Sequence, residues 1–313
     1  MHLLAKMGVD LTPLPAHLQH LITRTSCQHR IELFPREGEL PALHYYDGRA
    51  MYLGCCQGLG IAGGRYRHEV GFPMDIEGSE RGRANVVFSP PRDWRHVGLL
   101  AVQGEGGGWG WPIEGLWETW ADLCEIRFAR QHGWEVRVIE KVVWPEARPL
   151  DVWADRLSRL YLQAKAQQKE ALAGCYRAIA LHTIGRFHNL GYRDRRVVVD
   201  ADDERVTFDN VERIGPEGVQ IKERVPVEKP PEQCHPEWSS AVWSKVRLRI
   251  CKHLMALPRE CLVGVRGDAI FMTRDPGWED SGKCGVLRRK ASKEGPFPAP
   301  VSWAAVSAIV GAK

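Results

Sequence analysis

Apolar residues recur at two periods along this chain, and the change of period divides it into sheet-forming and helical stretches. Residues 41–115 read as strands and loops, punctuated by glycine clusters at Gly58–Gly64 and Gly104–Gly110. From Trp117 to Gln131 the apolar positions Trp117, Trp120, Leu123, Cys124 and Phe128 recur at helical spacing, and Gly133 ends the run. Trp134–Ile139 alternates as a strand. A long helical stretch then runs from about Leu150 to Phe187, rich in Ala, Leu, Lys, Arg and Gln and broken near Gly174, which suits two antiparallel helices projecting from a sheet. Val197–Val199 and Val206–Phe208 flank an acidic turn, Asp200–Glu204, which reads as a solvated hairpin turn or as a cation site. A proline-rich connector spans Pro226–Pro236. Beyond it Trp238, Val242, Val246 and Ile250 form an i, i+4 stripe on a helix reaching about Leu257, with Lys245, Arg249 and Lys252 off the stripe on an expected solvated face. Near the end, the apolar strand Val263–Val265 breaks at Gly267-Asp268 and resumes as Ala269–Met272.

Composition changes this picture little. At 313 residues, 44% hydrophobic and 26% charged, the chain can bury a large core as one domain or two. A formal charge of +4 permits nucleic-acid binding without requiring it. No apolar run approaches a membrane span, and the N-terminus lacks a signal-peptide pattern, so a cytoplasmic protein with no membrane partner is expected. Nine cysteines without a C-x-x-C argue for reduced, partly buried thiols over a zinc knuckle or disulfide framework. Gly58-Leu59-Gly60-Ile61-Ala62-Gly63 does not open a convincing helix, and Gly104–Gly110 lacks the ending of a P-loop, so neither is read as a nucleotide fingerprint.

The candidate chemistry rests on two aspartates, each following an apolar strand. Asp47 stands in Tyr45-Tyr46-Asp47-Gly48-Arg49-Ala50-Met51-Tyr52 and Asp268 at the tight turn of the later hairpin. Two carboxylates at such edges are the minimum apparatus for a two-metal displacement at phosphorus. Each also fits an ordinary turn aspartate, just as Tyr52 fits a core aromatic and Arg177 a solvated helix residue.

Taken in order, these segments resemble the family B DNA polymerases, especially the protein-primed replicases of phages and linear plasmids. The A pattern D-x-x-S-L-Y-P is met by Asp47 to Leu53, with the aspartate and Tyr52 in place and departures at Ala50 and Leu53. The B pattern K-x-x-x-N-S-x-Y-G is met by Arg177 to Gly185, which keeps a cation and the glycine but loses Asn, Ser and Tyr. The C pattern Y-x-D-T-D-S aligns through Asp268 alone, with Arg266 at the position of the first aspartate. The resemblance covers roughly residues 43–290, and the order of the segments is more specific than any one of them.

The resemblance implies an α/β (α+β) fold: an antiparallel polymerase palm sheet backed by helices, with a helical fingers insertion. The expected divisions are an N-terminal extension (1–40), palm (41–148), fingers (149–190), and a second palm part with a short basic C-terminal region (191–313). It implies template-directed primer extension with Asp47 and Asp268 as catalytic residues holding two Mg2+ ions, or Mn2+. Tyr52, Arg177 and Gly185 would contact the nucleotide, and Lys283, Arg288, Arg289 and Lys290 the DNA, although a solvated basic strand remains open for the last group. Implied partners are a primed nucleic-acid template, deoxynucleoside triphosphates and a terminal-protein primer or accessory chain. Too little sequence precedes Asp47 for a proofreading exonuclease, so none is expected. The alternative is a polymerase-derived DNA-binding module that has lost catalysis.

Overall fold

A computed structural model describes residues 12–59, 65–207, 210–227, 231 and 234–311. At its centre lies a five-stranded antiparallel sheet in the order β1-β12-β13-β2-β14, formed by β1 (Ile31–Leu33), β12 (Leu262–Arg266), β13 (Ala269–Met272), β2 (Glu39–Gly48) and β14 (Leu287–Pro298). Period-two alternation divides its two faces. Ile270 and Met272 of β13 join Tyr46 and Leu287 in the large core, whereas Ala269 and Phe271 join Leu43 and Tyr45 in a smaller cluster on the opposite side. The first face packs on a long helix (Pro236–Met255) and the second on a short one (Trp303–Val310), α6 and α7 below.

Before α6 come α1 (Ala16–Arg24), α2 (Met51–Cys56), α3 (Leu123–Gln131), α4 (Asp151–Ala166) and α5 (Glu170–Phe187). The α6 helix has Pro at its first position, where the missing N–H costs nothing, and buries the expected stripe of Trp238, Val242, Val246 and Ile250 completely or nearly so. Full burial of each such side chain contributes about 1.5–3 kcal/mol. A second antiparallel sheet, β3-β8-β4-β7, consists of β3 (Arg67–Met74), β8 (Glu135–Trp144), β4 (Arg81–Ser89) and β7 (Trp117–Asp122), with α3 between it and α6. The pair β5 (Val102–Gln103) and β6 (Trp109–Gly110) flanks the glycine-rich loop. A third sheet, β10-β11-β9, joins β9 (Tyr192–Val199), β10 (Val211–Gly215) and β11 (Gly218–Pro226) over a small core of Val199, Val219 and Ile221.

Several sequence-based boundaries move, each for a local reason. Trp117–Asp122 is strand, not the first turns of a helix: it pairs with β4, and the Asp122 side chain caps the N-terminus of α3 by accepting from Cys124 N–H. Gly133 ends α3 at φ 80° as expected. The helical pair is broken at Gln167–Lys169, where Gln168 adopts φ 56°, while Gly174 sits inside α5. The acidic segment does not close a hairpin between Val197–Val199 and Val206–Phe208; β9 pairs with β11, and Asp203 instead engages Arg205. Phe208, Gly60–Gly64 and residues 228–230 and 232–233 of the proline-rich connector fall outside the described residues. All nine cysteines are free thiols, with Cys175 exposed. Among the described residues no helix is long and apolar enough to cross a membrane.

Candidate active site

The site forms where the ends of β2, β13 and β14 meet. Asp47 is the penultimate residue of β2; its Cα pairs with Ala269 of β13 on one side and Arg288 of β14 on the other. Asp268 occupies the two-residue turn between β12 and β13, where Gly267 takes the positive φ (67°) that such a hairpin requires. The Gly48 N–H donates to the Asp268 carbonyl at 3.1 Å. A Cβ on Gly48 would lie 2.6 Å from Asp268 Oδ2 and 2.6 Å from Met51 Cβ, so glycine alone lets the turn close onto β2. Two aspartates distant in sequence thereby adjoin on neighbouring strands.

Electrostatics record the crowding. Burial pushes the Asp268 carboxyl up to about 6, with the Asp47 charge adding to the shift and a backbone hydrogen bond and Arg177 opposing it. Burial likewise raises Asp47, against the pull of Lys290, Arg177 and Arg288. Lys290 Nζ lies 4.0 Å from Asp47 Oδ2. Both carboxylates are thus desolvated, and their hard oxygen donors suit Mg2+. Among the described residues no group of three or more His, Cys, Asp or Glu side chains is clustered as for a metal ion.

Tyr52 lies on α2, which starts from Ala50 in a left-handed conformation (φ 44°) and buries its other residues. The helix packs closely on the segment before β14: a Cβ on Gly54 would meet Gly285 backbone at 2.6 Å. Burial raises the Tyr52 phenol, and the Asp268 charge raises it further. Its hydroxyl lies 2.9 Å from His29 Nδ1.

Arg177 projects from α5 with its side chain exposed, yet its charge is felt at Tyr45, Asp47, Tyr52 and Asp268. Gly185, two turns further on, is exposed with nothing within 4 Å of a Cβ built there, so no packing within the chain demands glycine.

The basic segment is less uniform than its sequence. Lys283 is exposed and precedes β14; Arg288 and Lys290 flank Asp47. Arg289 pairs with Asp275 at 2.5 Å, so it is not a free cation. On α6 the expected solvated face is partly engaged. Lys245 donates to the carbonyls of Gln57 and Gly58, and Arg249 to the Gly285 carbonyl, tying the helix to the segments around α2. Lys252 is exposed as expected.

Arg266 is exposed and pairs with Ile31 of β1 on one side and Ala269 of β13 on the other, in register with Asp47. His29 and Arg30, from the stretch expected to be only an N-terminal extension, also reach the site; a lone histidine ahead of the A-like segment carries no motif by which to find it.

The fold matches solved DNA polymerase structures. Phi29 DNA polymerase complexed with primer-template DNA and incoming nucleotide substrates superposes with a TM-score of 0.66 at 11% identity, over 92% of this chain and 50% of that one. Phi29 DNA polymerase complexed with primer-template DNA as a post-translocation binary complex gives 0.65 at 10% identity, over 90% and 48%. Phi29 DNA polymerase complexed with single-stranded DNA gives 0.65 at 11%, over 92% and 49%. The chain spans about half the length of the polymerase it resembles. No protein-family model and no curated protein matches it. The expected likeness to a DNA polymerase therefore holds at the level of the fold.

Proposed function

We propose that this chain catalyses template-directed nucleotidyl transfer, extending a primer with deoxynucleoside triphosphates. The observation that carries the proposal is the position of Asp47, opposite Ala269 and next to the turn that carries Asp268: two carboxylates raised chiefly by burial at one end of a polymerase-like sheet. Asp47 and Asp268 would hold magnesium, or manganese in its place. When bound, the metal supplies charge neutralisation at the phosphates and activation of the attacking hydroxyl. The protein's own groups position the reactants. Arg177 presents a planar, permanently charged fork for the triphosphate oxygens, Tyr52 offers a ring for the nucleotide sugar, and Arg288 and Lys290 provide cations for primer phosphates. Residues 151–187 would form the fingers and the five-stranded sheet the palm. A terminal protein or an accessory chain would be a further partner.

A primed DNA template, the four deoxynucleotides and Mg2+ provide the test, with extension read on a gel. Within that assay Arg177→Ala is expected to raise the apparent KM for nucleotide about tenfold or more, consistent with loss of a charge-assisted contact, while affinity for primed DNA stays near wild type. Arg177→Lys should keep part of the activity. Loss of DNA affinity at unchanged nucleotide KM would place Arg177 on the duplex instead.

A second reading has its own support: Arg266 stands where the C pattern has its first aspartate, and Arg177–Gly185 lacks the Asn, Ser and Tyr of the B pattern. A DNA-binding module descended from a polymerase would bind primed DNA and extend none of a range of primers with either metal.

A further inference from the structure

We infer that His29 is a positioning residue that fixes the Tyr52 ring at the nucleotide sugar and thereby contributes to the choice between deoxyribose and ribose. This rests on the nucleotidyl-transfer reading above. His29 Nδ1 and the Tyr52 hydroxyl lie 2.9 Å apart, with the rings edge to face at 88°. In the tautomer of neutral His29 with its proton on Nε2, the Tyr52 O–H donates to Nδ1. Burial raises the Tyr52 phenol, so its O–H is present to donate; partial desolvation and the Arg247 charge lower His29, which favours the neutral ring.

The anchor is itself held rigidly. The next residue, Arg30, is almost fully buried: its Nη1 donates to the Gly98 carbonyl at 2.8 Å, its Nε to Glu32 at 2.9 Å, and its guanidinium lies 5.1 Å from the centre of Trp111. Its carbonyl accepts from the Gly267 N–H at 2.8 Å, in the turn that carries Asp268. One short strap thus touches both the Asp268 turn and the Tyr52 hydroxyl, fixing their relative placement. Tyr52 needs such a tether, because α2 is six residues long and Tyr52 is its one residue that is not buried. A packing role for His29 is disfavoured by its surroundings: it is exposed and borders a cavity of about 360 Å³ shared with Gln28, Gln103, Trp109 and His188.

The test is single-nucleotide incorporation on primed DNA, comparing ribonucleotide with deoxynucleotide for wild type, His29→Ala, His29→Asn, Tyr52→Phe and the double variant His29→Ala/Tyr52→Phe. Loss of one neutral hydrogen bond should raise the ribo-to-deoxy ratio about fivefold in His29→Ala and alike in Tyr52→Phe. The double variant should show no more than either single change, since both remove the same contact. His29→Asn, whose side-chain oxygen can replace the Nδ1 acceptor, should stay near wild type, and a merely structural histidine gives no reason for that rescue. An unchanged ratio in His29→Ala, or multiplied effects in the double variant, overturns the inference while leaving nucleotidyl transfer in place. Wild-type protein that incorporates neither sugar overturns the function reading, and this inference with it.

Discussion

Replacing either central carboxylate with its amide, Asp47→Asn or Asp268→Asn, is expected to reduce magnesium-dependent primer extension by about a thousandfold or more, while Asp268→Asn melts at a higher temperature than wild type. The activity loss follows because charge neutralisation at phosphorus supplies much of the rate and each aspartate would provide half of the protein's anionic ligands. The gain in stability follows from the site's electrostatics. Asp268 has an ordinary value of 3.8 and is raised to about 6, so its charged form is disfavoured in the folded protein at neutral pH, on the order of 2–3 kcal/mol. A raised carboxyl stabilises the fold most where it is protonated, and that contribution disappears as pH climbs from 3.8 to about 6. The stability difference between Asp268→Asn and wild type should therefore grow across that window and level off above it. Melting curves from pH 3.5 to pH 8 beside extension assays would check both halves. An Asp268→Asn protein that extends primers normally, or one that melts well below wild type at pH 8, would show that Asp268 is an ordinary turn residue. The combination of lost function with gained stability distinguishes a functional anion from a structural one.

The parts of this fold legible in the sequence are those whose pattern is enforced by a single neighbouring surface. The α6 stripe of Trp238, Val242, Val246 and Ile250 was readable because one face of one helix meets one core. The Gly267-Asp268 turn was readable because a two-residue hairpin between apolar strands leaves few alternatives for its residues. Trp117–Asp122 misled because Trp117, Trp120 and Leu123 sit at helical spacing by coincidence, while pairing with β4 is a tertiary fact. The hairpin after Val199 misled for a related reason, since the partner of β9 is β11, beyond β10. In the site, Asp47, Asp268 and Arg177 could be proposed from order and spacing, and the structure brings their charges together. His29 could not, because its proximity to Tyr52 depends on β1 pairing with β12, two strands from opposite ends of the chain. The engagement of Lys245 and Arg249 was hidden as well: a cation off an apolar stripe looks solvated until the loop it holds is placed.

The largest stability effect is expected from Arg247→Ala, at about 3–5 kcal/mol. Arg247 lies on α6, nearly buried, and joins three parts of the molecule. Its Nε and Nη2 donate to the two oxygens of Glu125 on α3 at 2.9 and 2.7 Å, Nη2 also donates to Ser244 Oγ at 2.8 Å, and Nη1 donates to the Cys27 carbonyl in the strap that leads to His29. The fork geometry satisfies both carboxylate oxygens, which is what permits Glu125 to be buried. Removing the guanidinium alone leaves that carboxylate uncompensated, with Asp122 close by, and also frees the Cys27 carbonyl. Arg247→Lys should recover only part of the loss, because an ammonium cannot bridge Glu125 in parallel and reach Cys27 as well. The paired replacement Arg247→Met with Glu125→Leu removes both charges, and should be less destabilising than Arg247→Ala alone despite altering more atoms. Chemical denaturation of the four proteins at neutral pH would rank them. If Arg247→Ala costs less than about 1 kcal/mol, the pair is too well hydrated to count as buried, and the strap is held by β1 pairing rather than by α6.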